Sequence, residues 1–142
     1  MAATQSPIPL ETVQEWLDET GMIAFMGIRA ERYDADAQAL TLSMPMRDEL
    51  QGGAAAGHMH GGAIGAFIDT AATFVFLAAG VDRCPTANFR TDMFRPVVDS
   101  GLRAVATIRR QGRTLGVSDV DVFDKNDKLV AIGRATFAIY ND

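Results

Sequence analysis

Residues 61 to 79 run without interruption through Gly, Ala, Thr, Ile, Phe, Val and Leu, and Asp69 is the one charged side chain among them. The stretch reads as a helix with apolar groups on nearly every face, and such a helix must be surrounded by protein. The ordinary way to wrap one helix so fully is with a curved sheet, helped by a second subunit. Length alone would also admit a membrane span. Against a span stand the Ala, Gly and Thr content, a carboxylate near the middle at a cost of ~3 kcal/mol on insertion scales, and the lack of flanking basic or aromatic belts. A buried helix is expected, with no membrane contact.

The rest of the chain supplies the wrapping. Leu10, Val13, Trp16 and Leu17 recur at helical spacing with acids between them, so Leu10 to Glu19 reads as a short amphipathic helix stopped by Gly21. From Met22 to Met46 the pattern turns extended, broken by Asp34-Ala35-Asp36. Arg47 to Gly57 is a Gly/Ala-rich loop, mobile by composition, that leads into the long helix. Four strand-like stretches follow. In the first, Ala87, Phe89, Thr91 and Met93 share one face, and Thr86, Asn88, Arg90 and Asp92 the other. Leu102, Ala104, Ala106 and Ile108 alternate with Arg103, Val105, Thr107 and Arg109 in the second. The stretches 114–123 and 129–140 are joined by the turn Asp124 to Asp127. Strands around one central helix make an α+β domain with an antiparallel sheet of about five to six strands. No linker or repeat divides the 142 residues, so 1–142 is one domain, with 1–9 a flexible lead-in.

Charge and cysteine content narrow the partners. A net charge of −5 gives no basic face for nucleic acid. One cysteine, Cys84, cannot form an internal disulfide and reads as a small buried hydrophobe. Met1 to Pro9 lacks the basic segment and apolar core of a secretory signal, so a cytoplasmic protein is expected.

Chemistry concentrates in His60-Gly61-Gly62 and Asp69. Paired glycines at a helix start can expose backbone N–H groups, which polarise a carbonyl and attract developing negative charge. Asp69 is either a polar residue bonded locally on a half-exposed face or a general base or nucleophile. Its apolar surroundings, the glycine-led helix start and the absence of a basic partner in the helix favour the second reading. His60 would hydrogen-bond backbone groups and hold the loop-to-helix corner, and His58 would face solvent. With two histidines and a distant cysteine, no metal site is expected. Arg109, Arg110 and Arg113 flank Gly112 as a local positive patch, read either as a solvated hairpin end or as an attractor of substrate phosphates.

His60-Gly61-Gly62, six residues, then Asp69-Thr70-Ala71 resembles the signature of hotdog-fold acyl-CoA thioesterases of the phenylacetate-pathway (PaaI-like) type. The resemblance extends through Phe94-Arg95-Pro96-Val97, Gln111-Gly112-Arg113-Thr114, Leu129-Val130-Ala131 and Ala135-Thr136-Phe137. It implies a hotdog fold, with the long helix as sausage and the sheet as bun, and a homo-oligomer (a dimer or a dimer of dimers) with active sites at the dimer interface. It implies hydrolysis of an acyl-CoA with no cofactor beyond the coenzyme A of the substrate. Asp69 would be nucleophile or general base, Gly61 the amide on the thioester carbonyl, His60 its positioning neighbour and Thr86 a strand hydroxyl orienting water or the acid. Gly62 would line the substrate, and Arg109, Arg110, Gly112 and Arg113 would lie near the coenzyme A phosphates. One departure is Ala54, where the family often carries asparagine. That departure keeps a non-catalytic acyl-CoA-binding domain as the alternative, ahead of an acyl-thioester hydratase or dehydratase. Gln51 and His58 are the candidates to stand in for the missing amide, and Phe25, Phe67, Phe74 and Met93 the candidates to line an acyl pocket.

Overall fold

Eleven of the 18 residues of the long helix are buried, because one sheet curls around it. The structure is a computed structural model that describes residues 6–53 and 55–142. In chain order it holds α1 (Leu10–Glu19), α2 (Gly21–Met26), β1 (Arg29–Asp34), β2 (Ala39–Met44), a 3-10 turn (Asp48–Leu50), α3 (Gly61–Ala78), β3 (Thr86–Met93), β4 (Leu102–Gln111), β5 (Leu115–Phe123) and β6 (Leu129–Ala138). The six strands form one antiparallel sheet in the order β1-β2-β4-β5-β6-β3. This is the hotdog arrangement that the family resemblance implied. By length and composition α3 would pass for a membrane span, but it is the core helix, 61% buried.

The concave face of the sheet explains how the helix fits. Ala104 and Ala106 of β4, Gly116 and Ser118 of β5, and Gly133 and Ala135 of β6 alternate inward. Small residues there let the backbones approach closely, so that bulk is supplied from the helix side. Phe76 of α3 meets Phe137 edge to face at 5.3 Å between ring centres. The hydroxyl of Ser118, fully buried, donates to the Ala72 carbonyl at 2.9 Å, which satisfies a polar group that would otherwise be costly. A β-carbon at Gly133 would run into Ile68 of α3, and one at Gly116 into Phe76 and Ile139.

The helices differ from the sequence pattern in one place. Leu10–Glu19 is helical as read, with Val13 and Leu17 fully buried, and Gln14 ties it to the sheet by accepting the Ala30 N–H at 2.7 Å. Met22 to Met26 is α2, not strand. Gly21 opens this second helix rather than simply ending the first, and Thr20 makes the break with extended backbone (φ −91°, ψ 113°). Six residues are too few to show a period, and the run Met-Ile-Ala-Phe-Met is apolar in either conformation. Gly27 ends α2 at φ +70°, a left-handed conformation that glycine adopts without strain.

Of the lead-in 1–9, residues 1–5 lie outside the described residues, and the Ile8 N–H donates to the Ala78 carbonyl at 2.9 Å. The described residues of the loop 47–57 are hydrogen-bonded at both ends. Gln51 Oε1 accepts the Gly57 N–H at 2.9 Å, Gly52 donates to the His58 carbonyl at 2.9 Å, and Asp99 donates to the Gly57 carbonyl at 2.9 Å. The turn 124–127 forms as read, with Asp124 Oδ1 accepting from the Asn126 and Lys128 N–H groups at 2.8 and 3.1 Å.

Gly133→Ala tests the close approach. Its methyl would meet Ile68 on one side and the Arg90 carbonyl on the other, so β6 cannot retreat without breaking its ladder with β3. The substitution should cost about 1–3 kcal/mol, the usual range for overpacking, read as a lower midpoint in a urea titration. An unchanged midpoint would show that helix and sheet have room to shift.

Candidate active site

The start of α3 leaves one amide unused. A helix cannot satisfy its own first four N–H groups. Here His60, with extended backbone at φ −64° and ψ 135°, caps the helix. Its Nδ1 accepts the Gly62 N–H at 2.7 Å, and its carbonyl accepts the Ala63 and Ile64 N–H groups at 3.0 and 3.3 Å. The Gly61 N–H has no partner among the described residues. An accepting Nδ1 places the proton of a neutral ring on Nε2. His60 is fixed in turn by its own N–H, which donates to the Leu50 carbonyl at 2.7 Å, and by Gly52, where any side chain would strike the imidazole. So His60 holds the loop-to-helix corner, and Gly61 presents the free donor at the positive end of the helix.

Asp69 sits two turns further along α3 and is half-buried. Its Oδ1 accepts from the Thr86 hydroxyl at 2.9 Å, and it has no ion-pair partner among the described residues. Gly61, Gly62 and Asp69 border one cavity of about 640 Å³, walled by Met22, Ile23 and Met26 of α2 and by Phe89, Thr91 and Met93 of β3. A second cavity of about 480 Å³ lies on the other side of Gly61 and His60, against His58 and Phe94 to Val97.

Thr86 reaches Asp69 because β3 is bulged. Strict alternation placed Thr86 opposite to Phe89, Thr91 and Met93. In the ladder, Thr86 pairs with Phe137 while Asn88 pairs with Thr136, so two residues of β3 face one of β6. The extra residue, Ala87, turns Thr86 to the inner side with Phe89.

One chain does not bring every site residue together. Gly61 and Asp69 are eight residues apart on one helix, about 12 Å by helical rise. The Gly61 amide and the Asp69 carboxylate therefore cannot both touch one carbonyl of the same substrate. Arg109, Arg110, Gly112 and Arg113 lie at the β4–β5 hairpin and border neither cavity. Arg109 pairs with Asp119 at 3.4 Å on the outer face of the sheet, and Gly112 donates to the Leu115 carbonyl at 2.8 Å. Asp119 is held below the usual carboxylate range, first by its hydrogen bond from Arg134.

Other sequence candidates take definite places. Phe67 and Phe74 are core residues. Phe25 borders a smaller cavity beside His60 and Gly62, and Met93 borders both larger ones. His58 is half-buried and forms a β-bridge with Val98 instead of facing solvent. The Gln51 side chain is engaged with Gly57 and with Asp48 at 3.2 Å. Ala54 lies outside the described residues. The walls of α2 were missed in the sequence. The available signal was the apolar density of 22–26, too short to show a helical face.

Comparison with known proteins agrees with this fold. The sequence pattern of the thioesterase superfamily matches residues 56–131, more than half of the chain. A protein of Halobacterium salinarum whose name proposes an esterase is 28% identical over 141 residues, covering 92% of this chain and 91% of that protein. Among solved structures, a thioesterase of Haemophilus influenzae superposes with a TM-score of 0.84 at 20% identity, covering 99% of this chain and 96% of that one. The PaaI protein of E. coli, from the phenylacetic acid degradation operon, superposes at 0.80 with 21% identity, covering 92% of each chain.

Cys84 provides a check on the Asp69 environment. Burial, and secondarily the Asp69 charge, pushes its thiol up to about 12, so the thiolate that reagents attack is scarce. At pH 8 the folded protein should resist thiol labelling, and the urea-unfolded protein should label fully. The unfolded chain releases this proton near 9.0 and the folded one near 12. The folded state alone keeps it between those values, so this contribution to stability is lost as pH rises from about 9 to about 12. Cys84→Ala should flatten that part of the pH–stability curve, and rapid labelling of the folded protein would contradict the assignment.

Proposed function

The chain belongs to the thioesterase superfamily, and from that premise we propose that it hydrolyses an acyl-CoA thioester to the free acid and coenzyme A. The observation that carries this reading is the Gly61 amide, unpartnered among the described residues, at the start of a helix that also bears a carboxylate with no counter-ion among them. The thioester oxygen takes the Gly61 N–H, which stabilises the negative charge that grows on it as the carbonyl is attacked. Asp69 accepts a proton from the attacking water through the oxygen that Thr86 leaves free. Thr86 orients the carboxylate, and the sulfur departs with the electrons of the C–S bond.

The 12 Å between Gly61 and Asp69 along one helix makes this a two-chain site. β3 is an edge strand whose outer side has no neighbour in the sheet. Thr86 at its start touches Asp69, and Met93 at its end packs at Gly61, 3.2 Å from the place of a β-carbon there. Antiparallel pairing of β3 with β3 of a second copy, about a two-fold axis near its middle, carries the Asp69 end of one chain to the Gly61 end of the other. Two identical sites result. The β4–β5 hairpin joins the Asp69 end of the sheet, since Gly116 and Thr86 both pair with Phe137. Arg109, Arg110 and Arg113 would thus lie beside the site that their own Asp69 serves, in place to attract coenzyme A phosphates.

Two variants test both parts. Gly61→Pro deletes the amide proton at the first helical position, where proline is well tolerated, after a residue already in the extended backbone that proline favours. Asp69→Asn removes the base. Each alone should lose thiol release from an acyl-CoA by a factor of about 10² or more. Co-expressed, half of the dimers are mixed and each mixed dimer keeps one of its two sites intact, so about a quarter of wild-type activity should return. No recovery would rule out the shared site, and full-speed hydrolysis by Asp69→Asn would rule out the base.

A further inference from the structure

We propose that the cavity over Gly65 selects neutral, apolar acyl groups longer than acetyl, and that Gly65 sets how much of the chain enters. The proposal rests on the thioester-hydrolase reading and names its substrate class. The cavity of about 640 Å³ is within the usual size of small-molecule sites. An acyl group whose carbonyl meets Gly61 runs over Gly62, Gly65 and Ala66 of α3 and against Met22, Ile23 and Met26 of α2. Methionine walls are unbranched and adaptable, which suits chains of varied shape.

Gly65 is not explained by packing. A β-carbon at Gly133 or Gly116 would collide with the core, but at Gly65 it would meet only the Phe89 ring edge at 3.9 Å, an ordinary contact. Its backbone is helical, with no positive φ to require glycine. Glycine inside a helix is less stable than alanine, so a glycine that the fold does not need keeps open a volume that a side chain would fill.

Charge sets the second limit. Among the described residues Asp69 is the only charged group on this cavity. Of the hydroxyls on it, those of Thr20 and Thr70 are already spent on the carbonyls of Trp16 and Ala66, at 2.9 and 2.8 Å, and Thr91 offers a neutral group only. An acyl group ending in a carboxylate would meet Asp69 with no cation to pair it.

The test is thiol release from acetyl-, hexanoyl- and succinyl-CoA by wild type, Gly65→Leu and Met22→Ala. Each buried methylene should raise kcat/KM about fourfold, so wild type should favour hexanoyl over acetyl by on the order of a hundredfold, and hexanoyl over succinyl. Gly65→Leu should lower the hexanoyl-to-acetyl ratio by about tenfold or more. Met22 is 64% exposed, so Met22→Ala keeps the fold, and it should lower the ratio by about threefold. The ratio cancels any general loss of activity. An unchanged ratio in both variants, or succinyl-CoA turned over as fast as hexanoyl-CoA, would overturn the proposal. If wild type releases thiol from none of the three, the hydrolytic reading fails, and calorimetry with S-hexyl- and S-ethyl-CoA thioethers then decides the cavity. Tighter hexyl binding that Gly65→Leu abolishes supports it, and equal binding of the two overturns it.

Discussion

The close approach of α3 to the concave face of the sheet sets the position of everything else. Because Gly116, Gly133, Ala104, Ala106 and Ala135 present so little bulk, the helix side chains Ile68 and Phe76 rest almost on strand backbone. That contact fixes both the rotation and the height of the helix. With rotation fixed, the face bearing Gly61, Gly62, Gly65, Ala66 and Asp69 is turned away from the centre of the sheet toward α2 and β3. With height fixed, Asp69 comes level with Thr86 and Gly61 with Met93. A core of ordinary large residues would hold the helix further off, and hydrogen bonds such as Thr86 to Asp69 require placement to within a few tenths of an ångström.

Much of this was legible in the sequence, and the failures have physical causes. The long helix, α1, the inward alternation of β4 and the turn after β5 each rest on a pattern repeated over many residues, so local irregularity cannot hide them. α2 failed because five apolar residues fit strand and helix equally. The inner position of Thr86 failed because a bulge is one residue long and leaves no trace in alternation. His58 and the tied loop failed for another reason, since composition reports how freely a loop could move and not which backbone groups bind it. Of the candidate site, the sequence singled out His60, Gly61 and Asp69, and the family resemblance added Thr86 as the hydroxyl near the acid, which is where the structure has it. The reason Gly61 is singled out emerges only when the other amides of the helix start are each assigned a partner.

Under the proposed function, the separation of Gly61 from Asp69 lets one helix serve two centres. A helix start is the natural place for an amide donor, and that position is fixed by the backbone. A carboxylate within the first turn would complement the positive helix end directly and cap it, which would consume the donor. Placed two turns away, Asp69 cannot reach its own helix start, and under the proposed function this leaves the donor free for substrate and the carboxylate free for water. Under the proposed pairing, a two-fold axis restores the proximity that one helix denies.

The same arrangement accounts for an unpaired carboxylate in an apolar segment. A fully buried Asp69 would demand a counter-charge or neutralisation. Half-buried, facing a cavity and holding the Thr86 hydroxyl, it keeps enough polar contact to do without an ion pair among the described residues. Pairing through β3 would withdraw water from that cavity at the moment the partner's helix start comes to face it. The carboxylate would then exchange bulk solvent for an amide dipole with a thioester between them. In that setting each charge interaction would strengthen, and under the proposed mechanism only the transition state, with negative charge moved from carboxylate and water onto the carbonyl oxygen, would use both ends at once.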